Sequence, residues 1–330
     1  MMSKAKNTVL ITGGAGFIGS HLVDHWLGLK STVVVLDDLS RGSLNNLKKH
    51  SRNKSLVFIQ LDLADQNNNS KLLKIIEDYK PDTILHFAAI NGTEHFYENS
   101  YKVSTTNSLT TLNLISTLAL AKQKSLGEWQ PKFVYASTSE VYGDPEIIPT
   151  PETARTDLRI SEKRDSYAAA KLMGEFYAKL GCEKSDIPWL IVRIFNVYGP
   201  RMISTKYGQV IPEFIQRLSD GEQPLKIIGS GQHTRSFNHI DDFVILLNRL
   251  LNANPWNEVI NLGNHQEISI NELALKVCKS MGVALEITHT ESRPGDHMRR
   301  CPDIDKLLGY VGNYEFKNLD TGILELIKVN

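Results

Sequence analysis

The residue pair with the clearest chemical promise is Tyr167 and Lys171, four apart in SYAAAKLMGEFYAKL (166–180). On a helix, positions four apart share a face. An ammonium beside a phenol favours the phenolate, so the Tyr167 pKa is expected to fall from about 10 toward neutrality. A phenolate can take a hydroxyl proton while hydride leaves the same carbon. A lone Tyr and Lys at this spacing is usually an exposed pair, and position is what gives this one weight. It opens the helix that follows KFVYAST (132–138), a run that continues into Ser139 and Glu140. Thr138 is expected to bond the reacting oxygen and relay its proton, the alternative being a strand-end cap shared with Ser139. Glu140 adds a carboxylate to the same strand end.

A second group is Gly13, Gly16 and Gly19, lying between TVLIT (8–12) and HLVDHWLGL (21–29). Glycines there allow a tight turn and close approach of the backbone to a pyrophosphate, which the following helix N-terminus attracts. The next apolar run, TVVVLDD (32–38), contains Asp37. A carboxylate at this point accepts from a ribose diol and repels a 2′-phosphate, favouring NAD over NADP. Arg41 argues the other way, because it can neutralise a phosphate.

These groups need elements to hold them. Apolar runs at 8–12, 32–38, 55–63, 83–89, 132–138 and 188–201 read as about six strands, several nearly continuous, as suits parallel strands covered on both faces. Between them, helices are expected at 71–79, 99–122 and 166–180, with 66–70 and 143–164 as loops. The alternation predicts an α/β fold, a doubly wound parallel sheet whose ligands lie at the carboxyl ends of the strands. Beyond about residue 180 the elements shorten, with helices expected at 211–218 and 271–281 in a smaller C-terminal lobe.

Composition narrows the partners. The chain of 330 residues carries 37 Lys+Arg against 37 Asp+Glu, so no bulk field favours nucleic acid or an anionic membrane. Cys182, Cys278 and Cys301 are too scattered for a disulfide framework or a metal cluster, which fits a reducing, cytoplasmic setting. No apolar run reaches the roughly 18 residues of a membrane span, and Met1 to Asn7 do not read as a signal peptide.

Taken in order, TGGAGFIGS, VLDDLSRG, LHFAA, STSEVYG, SYAAAK, RIFNVYGPR, GSGQHTRSFNHIDD and RPGD resemble the motifs of the extended short-chain dehydrogenase/reductase family, in its nucleotide-sugar epimerase, dehydratase and decarboxylase group. The likeness covers nearly the whole chain. It implies a Rossmann-type NAD-binding domain over 1–180 and a nucleotide-sugar-binding lobe over 181–330, partly interleaved with the sheet. It implies that Gly13, Gly16, Phe17, Ile18 and Gly19 cradle the pyrophosphate and that Asp37 holds the adenosine ribose. Asp62 and Leu63 would border the adenine, and Ala88, Ala89 and Asn107 would line the cofactor channel. Thr138, Tyr167 and Lys171 would carry hydride and proton chemistry, while Asn196, Arg235 and Arg293 would bind the nucleotide diphosphate. A homodimer paired through 99–122 and 166–180 is also implied.

The resemblance implies a shared first step, oxidation of sugar carbon 4 to a ketone. Glu140 then leans the expectation toward a 4,6-dehydratase or a decarboxylase, with a UDP-glucose 4-epimerase-like enzyme as the alternative. A non-catalytic NAD-binding sensor is a remote alternative, since Tyr167 and Lys171 are both present. The segment INGTEHFYENS (90–100) matches no pattern known in the family; its Glu94, His95 and Tyr97 are either sugar contacts or solvent-facing.

Overall fold

The computed structural model describes residues 7–203, 209–292 and 298–329. In chain order the first half forms β1 (Thr8–Thr12), α1 (Phe17–Gly28), β2 (Thr32–Asp37), β3 (Leu56–Gln60), α2 (Asn69–Tyr79), β4 (Thr83–His86), α3 (Thr93–Glu98), α4 (Ser100–Lys124), β5 (Lys132–Thr138) and α5 (Asp165–Lys184). There follow β6 (Trp189–Ile194), β7 (Val197–Tyr198), α6 (Val210–Ser219), β8 (Leu225–Ile228), β9 (Thr234–Ser236), β10 (Asn238–His239) and α7 (Ile240–Asn252). The last are β11 (Glu258–Leu262), β12 (Glu267–Ser269), α8 (Ile270–Met281), β13 (Ile287–Thr290), β14 (Arg299–Arg300), α9 (Asp305–Val311) and α10 (Leu319–Val329).

The sheet has seven parallel strands in the order β11-β6-β5-β4-β1-β2-β3. Val9, Leu10 and Ile11 of β1 and Val33 to Leu36 of β2 have no exposed surface, the burial that continuous apolar runs require. Helices α1, α7 and α9 cover one face through Leu22, Trp26, Phe243, Leu246 and Leu307. Helices α2, α4 and α5 cover the other through Ile76, Leu114, Leu118 and Ala178. A third cluster, with Phe214, Leu225, Leu273, Val277 and Ile323, binds α6, β8, α8 and α10 together. Strand order reverses between β1 and β4, and the diverging connections open a crevice at the carboxyl ends there.

Several expectations need correction. The sheet has seven strands rather than about six; the seventh, β11, pairs Ile260 with Val192 and comes from the lobe that was expected to interleave with the sheet. The third and fourth strands stop at Gln60 and His86, because Leu61 to Leu63 and Phe87 to Ala89 turn into the crevice wall. Within 90–100, for which no element was expected, Thr93–Glu98 is helical. Among the described residues no helix is long and apolar enough to cross a membrane.

Helix α5 carries Tyr167 and Lys171, and two devices fix it to the sheet. Gly174 rides on Tyr135 of β5, where a Cβ would lie 1.9 Å from the phenol oxygen. One turn earlier, that phenol donates to the Lys171 carbonyl over 3.2 Å. Glu175 is clamped by the Nε and Nη2 of Arg193, at 2.9 and 2.8 Å, and by the Ser137 hydroxyl at 2.5 Å. Both charges are buried, so the fork geometry has to satisfy them internally.

Candidate active site

One cleft runs along the carboxyl ends of β1, β2, β4, β5 and β6 and gathers most of the residues singled out from the sequence. At one end of it, where β1 meets α1, Gly13 has φ +70°, and a Cβ there would sit 2.8 Å from the Ala88 nitrogen. Glycine is therefore required for β1 to turn beneath the end of β4. Gly16, Phe17, Ile18 and Gly19 line the cleft where α1 begins, so a helix N-terminus meets it as an anion site.

Asp37 lies beside this turn. Its Oδ2 accepts from the Ala15 N–H and its Oδ1 from the Leu39 N–H, each over 2.9 Å. Burial, the largest influence, lifts its pKa; the two amide bonds oppose the lift and Asp38 adds to it. A carboxylate offers about four acceptor positions, so two amide bonds leave room for a ribose diol. Asp62, Leu63, Ala88 and Ala89 also line the cleft. The Ala88 N–H donates to Thr12 Oγ1 over 3.1 Å, and that hydroxyl meets buried His86 Nδ1 at 2.7 Å. Burial, with Lys171 second, pulls the His86 pKa down to about 3, so this link between β1 and β4 is a neutral one.

Asn107 departs from expectation. It is not among the lining residues, because its amide is committed to Ile90, accepting from the N–H at 2.8 Å and donating to the carbonyl at 3.0 Å. It holds the channel wall from behind.

Thr138, Glu140, Tyr167 and Lys171 converge on the middle of the cleft. Tyr167 shares a side-chain hydrogen bond with Thr138. The expectation of a depressed phenol pKa is overturned for the unliganded chain: burial, then the Glu140 charge, push Tyr167 well above the usual phenol range, against the Thr138 bond. Burial also pulls Lys171 down to about 7, with Glu175 opposing. Both side chains have lost water, and the proximity of an ammonium does not by itself compensate. The Lys171 Nζ lies 4.5 Å from the centroid of the Tyr135 ring, a cation–π seat.

Glu140 is not a lone base. Arg164 places Nη2 3.3 Å from its Oε1, and Arg300 donates from Nη1 to the same oxygen. Arg300 is buried, and its Nη2 has no hydrogen-bond partner among the described residues. Neither arginine was singled out from sequence. Arg164 directly precedes α5 in a stretch read as loop, and Arg300 reaches the cleft only because β14 pairs beside Arg235 of β9. Asn196, at φ +24°, lines the cleft and donates to the Ser236 carbonyl over 3.1 Å. Arg235 lines it as well, with Nη1 on the Thr234 carbonyl at 2.8 Å. Arg293 lies outside the described residues. From the 90–100 segment the lining residues are Ile90, Asn91, Gly92 and Phe96, not His95 or Tyr97; the Glu94 side chain lies outside the description.

The comparisons agree with this geometry. A family model described as the NAD dependent epimerase/dehydratase family matches residues 9–263. UDP-glucuronic acid decarboxylase 3 of Arabidopsis thaliana is 36% identical over 92% of this chain and 83% of its own length. Among solved structures, UDP-glucose 4-epimerase of Thermotoga maritima with UDP-glucose superposes with a TM-score of 0.85 at 27% identity, over 98% of each chain. A dTDP-glucose 4,6-dehydratase of Streptomyces venezuelae, with NAD bound, gives 0.84 at 26% identity over 97% of this chain and 96% of the other. With a glycine turn, a buried carboxylate at the end of β2 and Thr138, Tyr167 and Lys171 in one cleft, the chain belongs to the NAD-dependent epimerase/dehydratase family, and it is an enzyme of that family with NAD as its cofactor.

Proposed function

We propose that the enzyme decarboxylates a nucleotide-linked hexuronic acid through a 4-keto intermediate. The observation that carries this reading is Arg300, buried at the cleft wall with Nη1 on Glu140 and Nη2 without a partner among the described residues. A buried guanidinium N–H needs an acceptor, and a planar carboxylate suits the fork. A neutral hexose offers no such group at carbon 6. The similarity to UDP-glucuronic acid decarboxylase supports the same substrate class.

Bound NAD supplies the hydride acceptor for carbon 4 and, when oxidised, a positive charge that favours the Tyr167 phenolate. Tyr167 takes the proton from the carbon 4 hydroxyl, and Thr138 hydrogen-bonds that oxygen. Lys171 supplies positive charge beside the phenol. The resulting ketone is β to the carboxylate. The bond between carbons 5 and 6 breaks, its electron pair moves into the carbonyl as an enolate, and carbon dioxide leaves. The protonated Tyr167 and Thr138 face the oxygen on which negative charge develops. Carbon 5 then takes a proton from solvent water, carbon 4 regains its hydride, and Tyr167 returns the hydroxyl proton, so the cycle has no net redox change. In this reading Glu140 holds Arg164 and Arg300. Asn196, Arg235 and Arg293 are assigned to the diphosphate, and Asp37, Asp62 and Leu63 to the adenosine of NAD.

The test is product mass after incubation with NAD and UDP-glucuronate. Loss of carbon dioxide is expected, and it disappears in Tyr167→Phe while NAD binding persists. An unchanged hexuronate, with dehydration or epimerisation of a neutral nucleotide sugar, would refute it. A 4,6-dehydratase is the second reading, favoured by the position of Glu140 directly after Thr138 and Ser139 at the cleft, where a carboxylate can take the carbon 5 proton.

The homodimer is part of the same proposal. Met173, Phe176 and Leu180 form an exposed apolar stripe on α5, and Leu120 is exposed on the adjoining α4. Pairing two such faces buries them as a four-helix bundle. Light scattering that gives the mass of one chain at micromolar concentration would refute the dimer.

A further inference from the structure

We infer that Phe96 is a positioning residue for Tyr167, a ring that covers one face of the phenol and fixes its aim into the cleft. The inference rests on the reading of Tyr167 as the proton-transfer group. The two rings are stacked, with centroids 4.5 Å apart and planes 19° from parallel. Phe96 is 4% exposed and Tyr167 5%, so each shields the other from water. Val103 of α4 and the partly buried Ile90 complete this small apolar cluster.

The surrounding chain holds the ring in place. Asn107 fixes the Ile90 backbone through both its N–H and its carbonyl. Gly92, at φ +125°, then turns the chain into α3, where the amides of His95 and Phe96 donate to the Gly92 carbonyl over 3.0 and 3.3 Å. One turn of helix thus delivers Phe96 onto α5. The segment that matched no family pattern supplies an aromatic lid on the phenol, and its Phe96 also lines the cleft.

The chemistry is one of solvent exclusion and orientation. The groups that act electrostatically on Tyr167 are Glu140 from the turn after β5, the Thr138 hydroxyl and Tyr135 of β5; Lys171, on its own helix, is seated over the Tyr135 ring. On the Phe96 side the phenol meets the apolar Phe96, Val103 and Ile90. A π-face carries negative potential, and with water excluded it disfavours a phenolate beneath it. In return the phenol has fewer orientations to lose when it meets the sugar hydroxyl.

The test compares pH–rate profiles of the NAD-loaded wild type, Phe96→Leu and Phe96→Tyr. Activity rises with pH as the phenol ionises. Admitting water stabilises the phenolate, so in Phe96→Leu this acid limb should move to lower pH, by about one unit. Lost orientation should reduce plateau kcat about tenfold. Phe96→Tyr keeps a stacked ring and should match the wild type in both. An unshifted limb in Phe96→Leu refutes the inference, leaving a structural role only. A raised kcat also refutes it, because the ring would then obstruct the site. If Phe96→Leu fails to fold, Phe96→Met is judged by the same limb. Full turnover by Tyr167→Phe would instead overturn the proposed function, an outcome separate from any shift at Phe96.

Discussion

Replacing Arg300 with glutamine removes one guanidinium from the cleft wall while Arg164 remains on Glu140. The side chain is 3% exposed, and its Nη2 has no partner among the described residues. A hydrogen bond to a charged group contributes about 1.5–3 kcal/mol, which corresponds to about a ten- to 150-fold change in affinity. That loss should fall only on ligands bearing a carboxylate at carbon 6. Calorimetric titration of UDP-glucuronate and UDP-glucose into the NAD-loaded protein measures it, with Tyr167→Phe as background so that neither ligand is consumed. The preference for the uronate should collapse by that factor in Arg300→Gln, and UDP-glucose affinity should stay within about threefold. Equal weakening of both ligands would make Arg300 a general contact. An unchanged preference would mean that the carboxylate, if bound, sits elsewhere, and the decarboxylase argument would lose its main support.

Three further outcomes concern charged groups, buried and exposed. Glu175→Gln strips a fork-bound carboxylate from Arg193 and should cost about 3–5 kcal/mol, seen as a lower thermal midpoint. Glu183→Gln, which removes the exposed partner of Lys179 at 3.6 Å, should cost less than about 1 kcal/mol, and equal losses would refute the distinction. Lys171 in the cofactor-free protein should be acylated with a midpoint near pH 7, because burial lowers its pKa to about 7 and the neutral amine above that pH is the reactive form. Mass spectrometry of the modified peptide gives the profile, and a midpoint near that of solvent lysines would refute it.

The glycine turn, the β2 carboxylate and the Tyr-Lys pair were legible in the sequence because each is a local feature. Gly13 must turn within one strand–helix junction, Asp37 closes the next strand, and Tyr167 and Lys171 share a helix face by spacing alone. Continuous apolar runs likewise announced a parallel sheet covered on both faces. Only the tertiary structure brought Glu140, Arg164 and Arg300 together, three side chains separated by up to 160 residues, and only it laid Phe96 on Tyr167. It also added β11 to the sheet and committed the Asn107 amide to the Ile90 backbone. The electrostatics changed for the same reason. Spacing predicts an ammonium near a phenol, but how much water each has lost depends on the packing of β5, α3 and α4 around them, and here that loss governs both pKa values.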